Sequence, residues 1–154
     1  MTTTALRQDF SDFCAQRDAQ NTIQLNVRKW TLMLCDALKQ NYIERSIKSH
    51  ERSLFRDFHQ TSVDYHEACI EALKNGECDY DFIFESGKKY HKVIMVANGS
   101  RSVHCFIDKK TGEIYKSASW KSPAKGVRYD LRLIEQREWL LENADWAGGY
   151  LYAK

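Results

Sequence analysis

The amino-acid sequence predicts a mixed α+β fold, in which N-terminal helices pack on a small antiparallel meander and a further helix follows near the C-terminus. Three observations support this prediction. No glycine or proline occurs before Gly76, and apolar residues recur there at helical spacing. After Gly76, short apolar runs alternate with turn residues, as is typical of strands. A last apolar stripe after Asp130 predicts the C-terminal helix.

The region before Gly76 is expected to form three helical segments. The charged stretch 39–56 has few apolar positions, so it is either one long exposed helix or a break between two, and we favour the break. Thr61 or Ser62 is expected to begin another helix, which Gly76 ends as its C′ residue. The strongest apolar stripe, on one face of a single helix, consists of Ile23, Val27, Trp30, Leu34 and Leu38.

The middle of the chain predicts a meander of three or four strands. Ser86 and Gly87 are typical of a tight turn, and Gly112 is suited to the positive φ of a hairpin loop. The alternation around Cys105 predicts a half-buried strand, with that cysteine towards the core and His104 on the opposite face. The predicted strand segments are 82–84, 90–96, 103–107 and 113–120.

The C-terminal region predicts a loop, a helix and an aromatic tail. Pro123 is expected to end the last strand, because proline cannot donate to a strand ladder. Asp130 is expected to cap the final helix, which the glycine pair 148–149 ends. Tyr150 and Tyr152 are expected to pack back on the core. A single domain is predicted over 1–154, with a helical region over 1–76, a sheet over 77–122 and a C-terminal segment over 123–154.

Composition restricts the classes of function. The net charge of +2 over 154 residues is too small to indicate nucleic acid or a membrane by itself, so any electrostatic argument must rest on local clusters. No leader pattern begins the chain, and no apolar run approaches the roughly 20 residues that cross a bilayer. A cytoplasmic protein with reduced thiols is therefore predicted. Its five cysteines have no paired spacing: Cys14, Cys35, Cys69, Cys78 and Cys105.

One stretch of the sequence is strongly cationic and contains aromatic residues. Every charged residue from 116 to 128 is positive, and Lys109 and Lys110 precede the stretch at a turn. Trp120 or Tyr115 could stack on a base, since aromatic rings on sheets and loops do so in nucleic-acid-binding proteins. The alternative is that the indole of Trp120 is core and the lysines protect a sheet edge. The candidate phosphate-binding residues are Lys116, Lys121, Lys125 and Arg128.

The remaining reactive residues predict neither a metal site nor a cofactor. His59, His66 and Cys69 could share one helix face, but the short paired spacings of zinc sites are missing. His91 and His104 could face each other on adjacent strands, yet neither lies in an H-x-[ST] context. No nucleophile–base constellation is evident, so a non-enzymatic role is favoured and no catalytic residue is assigned.

A resemblance covers the C-terminal third of the chain. Residues 106–125, FIDKKTGEIYKSASWKSPAK, fit a core of the form F-[IV]-D-x-x-T-G-x-[IV]-[YL]-K-x-A-x-W-K-x-P-A-K, and ADWAGGYLY follows near the end. This core resembles that of small uncharacterised proteins of tailed bacteriophages. The resemblance implies a virus-encoded protein that acts in a bacterial cytoplasm. It implies no activity and no catalytic residues.

These observations lead to two hypotheses of function. The first is a phage accessory protein that binds nucleic acid or a phosphorylated nucleotide through the basic and aromatic hairpin and loop. The alternative is a protein-interaction module that modifies a host protein through the helical surface from Trp30 to Phe58. Broad apolar helix stripes would also allow self-association, and no membrane partner is expected.

Overall fold

The described residues form a mixed α+β fold, as the sequence predicts, with three α-helices and a five-stranded sheet. The computed structural model describes residues 2–56 and 59–152, with side chains from residue 9 onward. All strand pairs are antiparallel and follow the order β1-β2-β3-β4-β5, one strand more than the predicted maximum. The elements are helices α1 Thr2–Arg56, α2 Gln60–Lys74 and α3 Ile134–Asn143, strands β1 Tyr80–Ser86, β2 Tyr90–Ala97, β3 Ser100–Asp108, β4 Glu113–Lys116 and β5 Tyr129–Asp130, and a terminal 3-10 turn Gly149–Tyr152.

Helix α1 is continuous through the stretch where we expected a break. The prediction of three helical segments before Gly76 is therefore wrong. The charged stretch contains no glycine or proline to interrupt the hydrogen-bond ladder. Its Ile43 is buried, and its His50 contacts His66 of α2. Helix α2 begins at Gln60, one residue before the expected Thr61, and Gly76 follows its end at a φ of +82°.

The core lies between α1 and one face of the sheet, which we call the inner face. Val27, Leu34 and Leu38 from the predicted stripe are fully buried there. They belong to one apolar cluster with Val93 and Ile107 from the central strands. Burying each such side chain contributes about 1.5–3 kcal/mol, which makes this layer the main source of stability. Other members of the cluster come from the C-terminal segment: Tyr129, Leu131, Leu140, Ala144, Tyr150 and Leu151.

Strand β3 carries a bulge that changes the direction of one side chain. Val93 pairs with Cys105 and Ile94 pairs with Val103, which leaves His104 without a partner on β2. His104 and Cys105 both approach the inner face, so the prediction of opposite faces is wrong. Cys105 itself is buried in the core, as predicted.

The returning strand is shorter than the sequence suggested. Strand β4 ends at Lys116 instead of Trp120, and β5 pairs beyond it with Glu113 and Ile114. The connection 117–128 is an ordered loop, in which Ser117 and Pro123 form an isolated bridge. The backbone N–H of Ala124 donates to the carbonyl of Lys116 at 2.7 Å, and a bond from Arg128 to Ile114 closes the loop at its other end.

The C-terminal segment differs from expectation at both ends of its helix. Asp130 accepts a hydrogen bond from the backbone of Arg132 at 2.9 Å and does not cap α3, whose N-cap position is Leu133. The helix ends at Asn143, before the glycine pair. Tyr150 packs into the core as expected, whereas Tyr152 is exposed. Within residues 2–56 and 59–152, no helix combines the length and apolarity needed to span a bilayer.

Leu34→Ala should lower the free energy of unfolding by about 2–5 kcal/mol, because a buried leucine leaves a cavity between α1 and the sheet. Leu32→Ala is the matched control, since Leu32 lies on the same helix but is exposed. The control should change the free energy of unfolding by no more than about 0.5 kcal/mol. Urea denaturation measures both values, and equal losses would contradict the assignment of the core face.

Candidate functional site

The opposite, outer face of the sheet is partly covered by the loop 117–128. The indole of Trp120 lies against two cations from different strands: Lys92 Nζ is 4.5 Å from the ring centroid and Arg101 Cζ is 5.6 Å from it. The side chain nevertheless remains 42% exposed. Trp120 is therefore an accessible aromatic ring with positive charge beside it, and not a core residue.

A shallow cavity of about 300 Å³ adjoins this ring on the outer face. Phe106 and Tyr90 contribute its aromatic lining, with the two rings 5.7 Å apart. Glu85 is the only carboxylate among the described lining residues, and it already forms a salt bridge with Arg101. The cationic residues that line the cavity are Lys88, Lys89, Lys92 and Lys121. We call the following nine residues the outer cluster: Glu85, Lys88, Lys89, Tyr90, Lys92, Arg101, Phe106, Trp120 and Lys121.

The outer cluster contains only some of the residues predicted from sequence. Lys121 lines the cavity, and Trp120 stands beside it. Lys116 pairs with Cys105 on the inner face, and its Nζ lies 4.0 Å from the ring of Tyr152. It lines a separate cleft of about 280 Å³ against the C-terminal turn. The structure thus directs Lys116 and Lys121 to different surfaces.

Three other predicted residues have different surroundings. Tyr115 lies on the outer face 6.0 Å from Tyr90, but its hydroxyl donates to Glu113 at 3.1 Å. Burial and that carboxylate raise the pKa of Tyr115 to about 12. Lys125 is exposed and does not line the outer cavity. Arg128 is half-buried, and its Nε has no hydrogen-bond partner among the described residues.

Sequence reasoning missed the cations of the β1–β2 hairpin, Lys88, Lys89 and Lys92, and Arg101 of β3. Lys88 and Lys89 form the tip of the β1–β2 hairpin, and the carbonyl of Lys89 accepts a hydrogen bond from the N–H of Lys109 at 2.9 Å. The two hairpin tips, with their four lysines, therefore lie side by side. The run Gly87-Lys88-Lys89 was a visible signal for this charge, but only the strand pairing shows that it adjoins Lys121.

The histidines do not form a metal site in the residues that the structure describes. The Nδ1 of His66 lies 2.8 Å from that of His50 on α1. His91 pairs with Ile107 and His104 has no partner on β2, so the two histidines do not face each other across these strands. No group of three His, Cys, Asp or Glu side chains among the described residues is arranged to hold a metal ion.

His104 and Cys105 are buried, but their environment favours packing over catalysis. His104 Nε2 shares a hydrogen bond of 2.7 Å with the hydroxyl of Tyr150. Burial lowers the pKa of His104 to about 4, although Asp145 opposes this shift. Burial raises the pKa of Cys105 well above its ordinary value, with a smaller contribution from Cys35, so the thiol stays protonated and a poor nucleophile.

The comparisons assign the chain to a family without assigning a function. The chain belongs to a family of unknown function, DUF7717, whose sequence model matches residues 10–153. The match includes α1 from residue 10, the whole sheet and the outer cluster. No curated protein and no solved structure matches the chain. The function must therefore be argued from the geometry of the two faces of the sheet.

His104→Gln should reduce the loss of stability in acid. The pKa of His104 is about 4 in the folded chain, below the roughly 6.5 of an unfolded histidine, so the unfolded chain binds this proton more readily. The stabilising contribution is therefore complete above about pH 6.5 and is lost as the pH falls towards 4. Urea denaturation at pH 7 and pH 4.5 measures the difference. His59→Gln removes an exposed imidazole as the control, and an equal effect of both variants would contradict the prediction.

Proposed function

We propose that this DUF7717 protein binds nucleic acid across the outer face of its sheet. The observation that carries the proposal is the exposed indole of Trp120 beside Lys92 and Arg101. Proteins that hold single strands combine aromatic rings, on which bases stack, with cations that follow the phosphates. The outer cluster supplies both within one surface.

The charges of the outer cluster favour contact with phosphates. Its lysines outnumber its single arginine, and Arg101 is engaged by Glu85. Lysine acts as a flexible point charge, which suits phosphate contact better than bidentate reading of base edges. Binding with little sequence preference and strong salt dependence is therefore expected.

The ring of Trp120 can exchange its present cation contact for a base. An exposed cation–π contact contributes about 0.5–1 kcal/mol. Stacking of a base contributes about 1–3 kcal/mol, and each displaced lysine can then pair with a phosphate. Lys92 Nζ lies 4.5 Å from the ring centroid, so a base that stacks on that side of the ring displaces the ammonium only a short way towards the flanking phosphate. The balance of these terms favours the nucleic acid.

The resemblance of residues 106–125 also bears on the cell in which the protein acts. A non-enzymatic accessory role in the cytoplasm of a phage-infected bacterium is supported by the resemblance of residues 106–125. Trp120 and Lys121 both lie within that core, and Phe106 begins it. Because these three residues meet at the outer cluster, the shared pattern coincides with the proposed binding surface.

A second candidate function is docking to a protein through α1. Phe55 is 88% exposed and lines a shallow cleft of about 330 Å³ with Glu51 and Leu54. An aromatic side chain at the edge of such a cleft is of the kind that anchors a protein partner. Trp30, at the other end of the predicted surface, packs against the core with Arg137 4.2 Å over its ring, and Phe58 lies outside the described residues.

Trp120→Ala should weaken binding of a fluorescent single-stranded oligonucleotide by about tenfold or more, because the stacking platform is lost. Trp139→Ala is the matched control: Trp139 is 45% exposed but stacks on Tyr129, 5.5 Å away. Lys121→Gln should lower the slope of log K against log salt by about 0.7, the value for one phosphate contact on a single strand.

Lys125→Gln, in the same loop but away from the cavity, controls for the charge of Lys121. Its salt slope should stay close to that of the unmodified chain. Binding without salt dependence, or equal losses in Trp120→Ala and Trp139→Ala, would refute the outer cluster as the binding surface.

Phe55→Ser tests whether the chain binds a host protein through α1 or associates with nucleic acid. If α1 binds a host protein, capture of that protein from a nuclease-treated bacterial lysate should persist with the unmodified chain and fall with Phe55→Ser. Phe13→Ser, which also changes an exposed phenylalanine of α1, serves as the control. Capture that disappears with nuclease treatment would instead attribute the association to nucleic acid.

A further inference from the structure

A second cavity, of about 470 Å³, lies between α1 and the hairpin end of the sheet. Its volume falls within the range of small-molecule sites. Ser86 and His91 contribute from the two strands of the first hairpin, and Lys109 from the loop after β3. Helix α1 supplies the rest of the lining: Asn21, Gln24, Leu25 and Arg28.

The charged side chains that line this cavity are both positive. Arg28 and Lys109 are its charged residues, and none of the described lining residues is a carboxylate. Lys109 Nζ donates to the carbonyl of Gly87 at 3.0 Å, which fixes the ammonium at the rim. The Arg28 guanidinium lies 5.6 Å from the ring centroid of Phe84, which holds it beside the sheet. Two positioned cations without an anion favour a ligand of opposite charge.

His91 adds a buried polar group at the same place. The residue is only 3% exposed, and its Nδ1 lies 2.8 Å from the hydroxyl oxygen of Ser86. Burial lowers the pKa of His91 to about 4, with further contributions from Lys109 and Arg28. A neutral imidazole whose Nδ1 accepts from the Ser86 hydroxyl carries its proton on Nε2, which can then donate to an anion.

We propose that this cavity binds a phosphate monoester group through Arg28, Lys109 and His91. A monoester carries close to two negative charges at neutral pH and has three acceptor oxygens, which match two cations and one imidazole donor. Asn21, Gln24 and Leu25 line the rest of the cavity. Its volume of about 470 Å³ is large enough for a group of about the size of a nucleoside beside the phosphate. The same group could come from a free nucleoside monophosphate or from the 5′-phosphorylated end of a strand.

This site is separate from the outer cluster. The two cavities share only Ser86 among their lining residues and lie on either side of the first hairpin. The inference therefore does not depend on the proposed function. Trp120→Ala, which should weaken oligonucleotide binding, is expected to leave binding at this cavity unchanged.

The test is calorimetric titration with adenosine monophosphate, glucose 6-phosphate and inorganic phosphate. The double variant Arg28→Gln/Lys109→Gln should weaken binding at least about tenfold, since charge-assisted hydrogen bonds are lost. Lys29→Gln/Lys110→Gln changes the neighbouring cations by the same total charge but spares the cavity lining, so it should weaken binding less than about twofold. No saturable binding of the three probes, or equal losses in both double variants, would overturn the proposal.

Two further measurements complete the test. In the unmodified chain, adenosine monophosphate should shift the ring resonances of His91 and raise its pKa from about 4, because an anion beside Arg28 and Lys109 offsets their charge. Unchanged His91 resonances at saturation would also overturn the proposal, even if the double variant fails to fold. A 5′-phosphorylated oligonucleotide that shifts His91 when its 5′-hydroxyl form does not would identify a strand end as a source of the group.

Discussion

The packing of the α1 stripe across the inner face of the sheet is the constraint on which the rest of the structure depends. Val27, Leu34 and Leu38 are fully buried against the central strands, and the C-terminal segments complete the same layer. Because this apolar layer covers the inner face, the lysine of β2 and the arginine of β3, Lys92 and Arg101, lie on the outer face. The location of the candidate binding surface follows from this division.

The outer cluster and the cavity between α1 and the hairpin end are both rich in cations. In the outer cluster, lysines surround aromatic rings, and the carboxylate of Glu85 is already engaged by Arg101. At the hairpin end, burial lowers the pKa of His91 and Lys109 and Arg28 add to that shift, and no carboxylate is among the described residues that line the cavity. Both surfaces have positive charge that the protein itself does not balance, although the whole chain has a net charge of only +2. Anion binding is therefore a property of local clusters in this molecule.

Sequence reasoning succeeded where local pattern and tertiary packing agree. The apolar stripe of α1, the turns at 86–87 and 108–112 and the burial of Cys105 follow from spacing and turn chemistry. It failed where one long-range contact decides the outcome. The bulge that turns His104 inward depends on register with β2, and the early end of β4 depends on the bridge between Ser117 and Pro123.

The candidate site could be predicted only in part for the same reason. Trp120 and Lys121 were found because a one-sign charge run with an aromatic residue is visible along the chain. Lys92 and Arg101 are isolated in sequence, and only strand pairing brings them to the indole. Lys116 was included because it is close in sequence, but strand alternation directs it to the inner face. Sequence proximity was thus a poor guide to spatial proximity across the returning strand.

The indole N–H resonances of the four tryptophans test the central claim most directly, since one lies on the outer face and the others do not. During titration with a single-stranded oligonucleotide, the Trp120 resonance should shift while those of Trp30, Trp139 and Trp146 stay in place. Absence of any shift at saturating oligonucleotide, or a shift of Trp30 or Trp139 in place of Trp120, would contradict the assignment of binding to the outer face.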